Sequence, residues 1–269
     1  FIINGVERVV VHQLLRCPGV YFKEEGFSGQ RVLYSAKIYP ARGLWLEFQI
    51  DSHNCLVIYL GRKKVYGTTF LKALGYTADE IRSLFYPDIS KIPSDSIIEN
   101  TLLRDDTNSQ EEALKRIYVE LRPGYPLILK ECAKFFHRLF FSEETYDLSE
   151  AGRAQINKKL NLNIEKRCLT KQDIVETIRY LLNLIEKGEG TTEDIDHLGN
   201  KRVRVSAEVI KEYVYEGLQR LARFIRERMA LADKSMDINI QELINGKVFV
   251  TVLNEFFGRN QLSQFLDQT

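Results

Sequence analysis

Apolar residues change their spacing near Thr68, and that change excludes any uniform architecture for this chain. Before it, Val32 to Tyr39 and Leu44 to Ile50 alternate apolar and polar, the two-residue period of a half-buried strand. Val9, Val10 and Val11 are β-branched, and Cys55 to Leu60 continues the pattern. Turn signals separate these runs: Pro18-Gly19, Ser28-Gly29, Ala41-Arg42-Gly43 and Asp51-Ser52-His53-Asn54. Short connections between alternating runs predict an antiparallel sheet.

After Thr68 the helical period takes over. Phe70, Leu71 and Leu74 predict a short helix ended by Gly75, and Ala78 to Phe85 predicts another. Residues 87–108 hold Pro87, Pro93 and many small polar residues, and read as a linker with little regular structure. Ser109 and Glu112 have capping-box spacing, followed by the stripe Leu114, Ile117, Tyr118 and Leu121 and a stop at Pro123-Gly124. Further helices are expected over Leu127 to Phe141, from Ser149, and from Thr170 with Ile174, Ile178, Leu182 and Ile185 on one face. Gly188 and Gly190 end that run. The longest helix is expected from Ser206 to about Met229, with two shorter ones near Ile240 and over Val248 to Phe257. The predicted class is α+β, an N-terminal antiparallel sheet segment followed by a mostly helical part.

Composition narrows function by exclusion. A formal net charge of +1 gives no global pull toward nucleic acid or acidic substrates, so any such preference must be local. Cys17, Cys55, Cys132 and Cys168 form no CxxC pair and read as reduced thiols of a cytoplasmic protein. No apolar run approaches the roughly 18 residues that would span a membrane. The P-loop, GxGxxG, HExxH and nucleophile-elbow signatures are all missing. The first residue is Phe1 and the last stretch is QLSQFLDQT, so both ends read as internal to a longer chain.

One irregular stretch concentrates polar chemistry: DIDHLGNKRVR, residues 194–204. Asp194, Asp196 and His197 could ligate a metal, but zinc usually takes four ligands dominated by His or Cys, and His12, His53 and His137 are isolated. Asp196 beside Lys201, Arg202 and Arg204 could instead read a nucleic acid, cations holding phosphate and the carboxylate accepting from base amino groups. Spacing alone favours a plain turn with solvated cations. Trp45, the single tryptophan, is by pattern a core or edge residue, or a platform for a base. Arg16 could contact phosphate or tie down the Cys17-Pro18-Gly19 turn.

Together the motifs say more. FIINGVERVVVHQLLRCPGVYF, ARGLWLEF, FFSEETYDLSEAGR, DIDHLGNKRVR and EFFGRNQLSQFLDQT occur in the order seen in the β subunit of bacterial DNA-directed RNA polymerase, and the chain resembles an internal piece of that subunit. The resemblance implies protrusion-side strands over 1–15 and a lobe over 16–200, β-rich over 16–66 and mainly helical over 67–190. A helical segment over 201–269 would return into the protrusion. The compact middle resembles members that lack a large lobe insertion.

The resemblance also implies roles. Asp196 would accept from a guanine of the non-template strand near the transcription start, Ile195 and Arg16 would line its pocket, and Trp45 would stack on the neighbouring base. Lys201 stands where Arg is usual, which loses a bidentate fork and keeps the charge. Val11, Gln261, Leu262, Gln264, Phe265 and Asp267 match the rifamycin region beside the path of nascent RNA, and a piece ending at Thr269 is expected to bind rifamycins poorly. The family's catalytic magnesium is held by aspartates of the β′ subunit, so no catalytic residue, metal or cofactor is expected in this chain. Implied partners are β′, α and σ subunits, non-template strand, downstream duplex and nascent RNA, in a bacterial cytoplasm and nucleoid. The alternative role is a protein-docking module for transcription factors.

Overall fold

A computed structural model describes residues 1–28, 31–86, 93, 95–231 and 244–266. The chain divides into two compact units, one of residues 16–200 and one joining 1–15 to 201–269.

In the 16–200 unit a five-stranded antiparallel meander runs β4 (Gly19–Ser28), β5 (Arg31–Tyr39), β6 (Leu46–Ile50), β7 (Leu56–Leu60) and β8 (Lys63–Tyr66). The register sets Phe22, Ala36, Phe48, Ile58 and Val65 abreast across all the strands. Each of these side chains is buried. A one-residue slip in any pairing would turn that strand's apolar set to the wrong face, so the pattern specifies the register.

Among the described residues this unit has seven helices, α1 (Gly67–Ala73), α2 (Ala78–Phe85), α3 (Ile97–Arg104), α4 (Gln110–Leu121), α5 (Leu129–Phe141), α6 (Ser149–Leu160) and α7 (Lys171–Glu186), of which α1, α3, α4, α6 and α7 pack against the sheet. Sheet and helices share one apolar cluster, in which Phe70 of α1 meets Phe136 and Phe140 of α5 at centroid distances of 5.3 and 5.4 Å. Thr170 and Asp173 form the capping box of α7. At α4 the box is displaced: Ser109 accepts from the Glu112 N–H, but Glu112 Oε2 accepts from Asn108 rather than Ser109.

The expected linker over 87–108 is corrected by α3. Ser96 caps it by accepting from the Glu99 N–H, and Ile97, Ile98 and Thr101 are buried. Thr101 Oγ1 also accepts from Leu56 N–H at 2.8 Å, which fastens the helix to β7. Residues 87–92 and 94 of that stretch lie outside the described residues.

Among the described residues of this unit two ion pairs are buried. Lys72 of α1 meets Asp105, just after α3, at 2.9 Å. Arg153 of α6 meets Asp173 of α7 at 2.6 Å.

The other unit has β1 (Ile2–Ile3), β2 (Val6–Val10) and β10 (Ser263–Phe265) in the order β1-β2-β10. A second pair joins β3 (Gln13–Arg16) to β9 (Lys201–Arg204), so part of the stretch read as irregular is a strand. Helices α8 (Ser206–Leu231) and α9 (Gly246–Arg259) pack around a small core of Val10, Val209 and Phe256. Tyr213 stacks on Phe256 at 4.3 Å. The helix expected near Ile240 lies outside the described residues. Among the described residues no helix is long and apolar enough to cross a membrane.

Candidate nucleic-acid interface

The 191–200 stretch is shaped by its own polar groups. Asp194 Oδ1 accepts from Asp196 N–H at 2.9 Å, and the Asp194 carbonyl accepts from Asn200 Nδ2 at 2.6 Å. His197 Nδ1 accepts from Gly199 N–H at 3.0 Å. These are turn-forming bonds of the kind short polar side chains make with nearby backbone. Asp194 and His197 therefore spend acceptor atoms on the turn, and among the described residues no group of His, Cys, Asp or Glu gathers as for a metal ion.

Both ends of the turn are tied down, one of them to the sheet. Glu193 exchanges bonds with Phe22 of β4: its N–H donates to the Phe22 carbonyl, and its carboxylate accepts from Phe22 N–H, both at 2.8 Å. Lys159 of α6 pairs with Glu193. At the other end, Cys17 N–H donates to the Asn200 carbonyl at 2.9 Å. Between these anchors Ile195 points inward, 6% exposed, while Asp196 beside it is exposed.

Ile195 joins Tyr21 of β4 and Tyr39 of β5 in a buried cluster of its own. The two tyrosine rings lie 5.8 Å apart. Burial, then the nearby Cys17 and Glu193, push the Tyr21 hydroxyl up to about 12, so it stays protonated and donates to the Cys17 carbonyl at 2.8 Å. Arg16 Nη1 donates to Tyr39 Oη at 2.8 Å. Trp45 meets the Tyr39 ring edge-to-face at 5.1 Å and 75°.

Arg16, Trp45 and Ile195 are thus brought together from distant points in the chain. Trp45 is 59% exposed, which rules out the core reading of this residue. An exposed aromatic and a guanidinium held on the same tyrosine can stack on a base and bond its edge. Tyr39 and Tyr21 were not singled out from the sequence, because in an alternating strand they carry no local mark of special use. Lys201 opens β9 in the other unit and is half-buried.

Gly43 sets the approach to Trp45. Its φ of +131° is strained for any residue with a Cβ, and a Cβ there would lie 2.6 Å from Tyr146 Cδ2. Gly43→Ala is expected to destabilise the chain by about 2 kcal/mol and to change Trp45 emission. Urea unfolding and a fluorescence spectrum check both effects.

The residues matched to the rifamycin region lie in the other unit. Strand β10 pairs with β2 so that Ser263, Gln264 and Phe265 stand opposite Val10, Val9 and Arg8. Val11 N–H donates to the Leu262 carbonyl at 2.9 Å, and the Arg8 guanidinium covers the Phe265 ring at 4.2 Å. Gln261, Gln264 and Phe265 are exposed and Leu262 is half-buried. Asp267 lies outside the described residues.

The family model for RNA polymerase Rpb2, domain 2, matches residues 16–204, well over half of the chain. The chain belongs to that family, the lobe region of RNA polymerase β subunits. It is 42% identical over 273 residues to the DNA-directed RNA polymerase subunit beta of Trichodesmium erythraeum (strain IMS101), and 42% identical over 273 residues to that of Synechocystis sp. (strain ATCC 27184 / PCC 6803 / Kazusa). It is 41% identical over 274 residues to the same subunit of Prochlorococcus marinus subsp. pastoris. In each comparison all of this chain is covered, and it spans 24% of the relative's length. Arg16, Trp45, Ile195 and Asp196 all fall inside the Rpb2 domain 2 match.

Proposed function

We propose that this lobe segment works within a DNA-directed RNA polymerase, lining the DNA cleft and reading a non-template-strand guanine near the transcription start. Bond formation belongs to the whole enzyme, with magnesium held by the β′ subunit. This chain binds and positions strand. Its partners are then β′, α and σ subunits, DNA and nascent RNA, in the bacterial cytoplasm. Lys201 contributes a charge for the backbone. Val11, Gln261, Leu262, Gln264, Phe265 and Asp267 contribute to the rifamycin region.

One observation carries the reading. Arg16, Trp45 and Ile195 converge around one buried tyrosine, with the indole and Asp196 exposed to solvent. Guanine offers two parallel N–H donors on its Watson–Crick edge, which a carboxylate can accept together. Adenine places an acceptor there and is disfavoured. Asp196→Ala is therefore expected to leave folding intact and to cost about 1–3 kcal/mol of discrimination for guanine. Titrating the chain at low salt with short single strands carrying guanine or adenine, and following Trp45 quenching, measures it. Equal affinity for both strands in the unmodified chain would overturn the reading.

A second reading, protein docking, is favoured by a different surface. Tyr125, Leu127 and Ile128, between α4 and α5, are 61%, 49% and 56% exposed. They neighbour a groove lined by Phe135, Leu139, Arg122, Lys134 and Arg138. Factor binding that persists without DNA would support this role, whereas phosphate contacts weaken steeply with salt.

A further inference from the structure

Tyr39 is the last residue of β5 and only 6% exposed, yet it touches Arg16, Trp45 and Ile195 from three separate segments. Its hydroxyl accepts from Arg16 Nη1 at 2.8 Å, and the Arg16 guanidinium carbon lies 5.3 Å from its ring centroid. Its ring meets Trp45 edge-to-face at 5.1 Å. The same ring shares a buried cluster with Ile195 and Tyr21. Pairing of Tyr39 with Gly19 fixes the ring in the sheet, and the Tyr21 bond to the Cys17 carbonyl steadies the backbone next to Arg16.

Arg16 and Trp45 are both exposed, and exposed side chains of this size sample several rotamers. A ligand that needs each in one orientation must otherwise bear the ordering cost on binding. We propose that Tyr39 is the positioning residue of this site: its hydroxyl orients Arg16, and its ring orients Trp45 and backs Ile195. The inference rests on the base-reading role proposed above and adds a group that touches no base itself.

Hydroxyl and ring can be separated. Tyr39→Phe keeps the ring and removes the acceptor. Tyr39→Leu keeps an apolar side chain and removes the edge-to-face partner. The first measurement needs no ligand: time-resolved anisotropy of Trp45 in the full chain, with a thermal melt to confirm folding. Trp45 should be equally restricted in the unmodified chain and Tyr39→Phe, and freer in Tyr39→Leu. Equal mobility in the unmodified chain and Tyr39→Leu, or a Tyr39→Phe indole as free as that of Tyr39→Leu, would overturn the proposal.

The second measurement uses the guanine and adenine strands. Tyr39→Phe should lower guanine preference about fivefold, the effect of one hydrogen bond. Arg16→Ala should lower it at least as much, and the double variant should lose no more than Arg16→Ala alone, since the hydroxyl acts through Arg16. Losses that multiply would overturn that half of the proposal. Should the unmodified chain show no guanine preference at all, base reading fails. The anisotropy result then decides the positioning role by itself.

Discussion

Asp173→Ala is expected to destabilise the 16–200 unit by about 3–5 kcal/mol, the usual consequence of stranding one partner of a buried ion pair. Asp173 is fully buried and Arg153 is 4% exposed. The guanidinium donates to both carboxylate oxygens, at 2.6 and 3.1 Å, and also to the carbonyls of Lys166 and Cys168. Removing the carboxylate leaves a cation that water cannot reach. The same carboxylate caps α7 by accepting from Thr170 N–H at 2.7 Å. Loss of that cap adds about 1 kcal/mol. Replacing both partners, Arg153→Met with Asp173→Leu, should recover most of the loss except the cap, because no charge is then left buried or desolvated. Urea unfolding followed by circular dichroism reads this as a lowered midpoint at unchanged slope. A single-variant loss below about 1 kcal/mol, the level of an exposed pair, would show that the pair is solvated.

The second large effect is expected at Asp105. Its carboxylate accepts from Thr68, Thr69, Thr107 and Lys72 at 2.6 to 3.0 Å. Lys72 also donates to the Thr107 carbonyl. Asp105→Ala strands a buried ammonium and frees three hydroxyls, for a loss of about 3–5 kcal/mol. This pair also has a pH signature. Burial pushes the Asp105 carboxyl up, but the hydrogen bonds from Thr107, Thr68 and Lys72 together outweigh it and hold it below the ordinary 3.8. A group that binds its proton more weakly when folded adds stability above its unfolded pKa and loses it as pH falls through the folded one. The stability gap between the unmodified chain and Asp105→Ala should therefore be constant near neutrality and shrink only below the unfolded value of 3.8. Unfolding midpoints across an acid series measure it. A gap that closed well above that value would place the carboxyl on the opposite side of its ordinary range.

Local signals predicted much of the fold. Alternation placed β5 and β6, because a strand with one buried face must alternate, and the short apolar run up to Leu60 placed β7. Ser109 and Thr170 marked the starts of α4 and α7, because an orphan N–H at a helix start needs a nearby acceptor. The Ile97–Arg104 helix escaped notice. Its Ser96 cap is a local signal, but eight residues are too few for a helix to hold without packing, and the two prolines before it argued for a linker. The buried face of Ile97, Ile98 and Thr101 supplies what propensity lacks.

The site divides along the same line. Residue types and order in the chain were enough to nominate Arg16, Trp45, Ile195 and Asp196 and to point to the polymerase family. They did not show that Ile195 would be buried while Asp196 next to it is exposed. Nor did they mark Tyr39, which alternation reads as one more strand residue. Sequence patterns report what each residue needs from its immediate neighbours: a period, a cap, a turn. Bringing residues 16, 39, 45 and 195 into contact depends on sheet register and on the anchoring of the 191–200 turn to β4. Those pairings join residues far apart in the chain, and only the folded structure decides them.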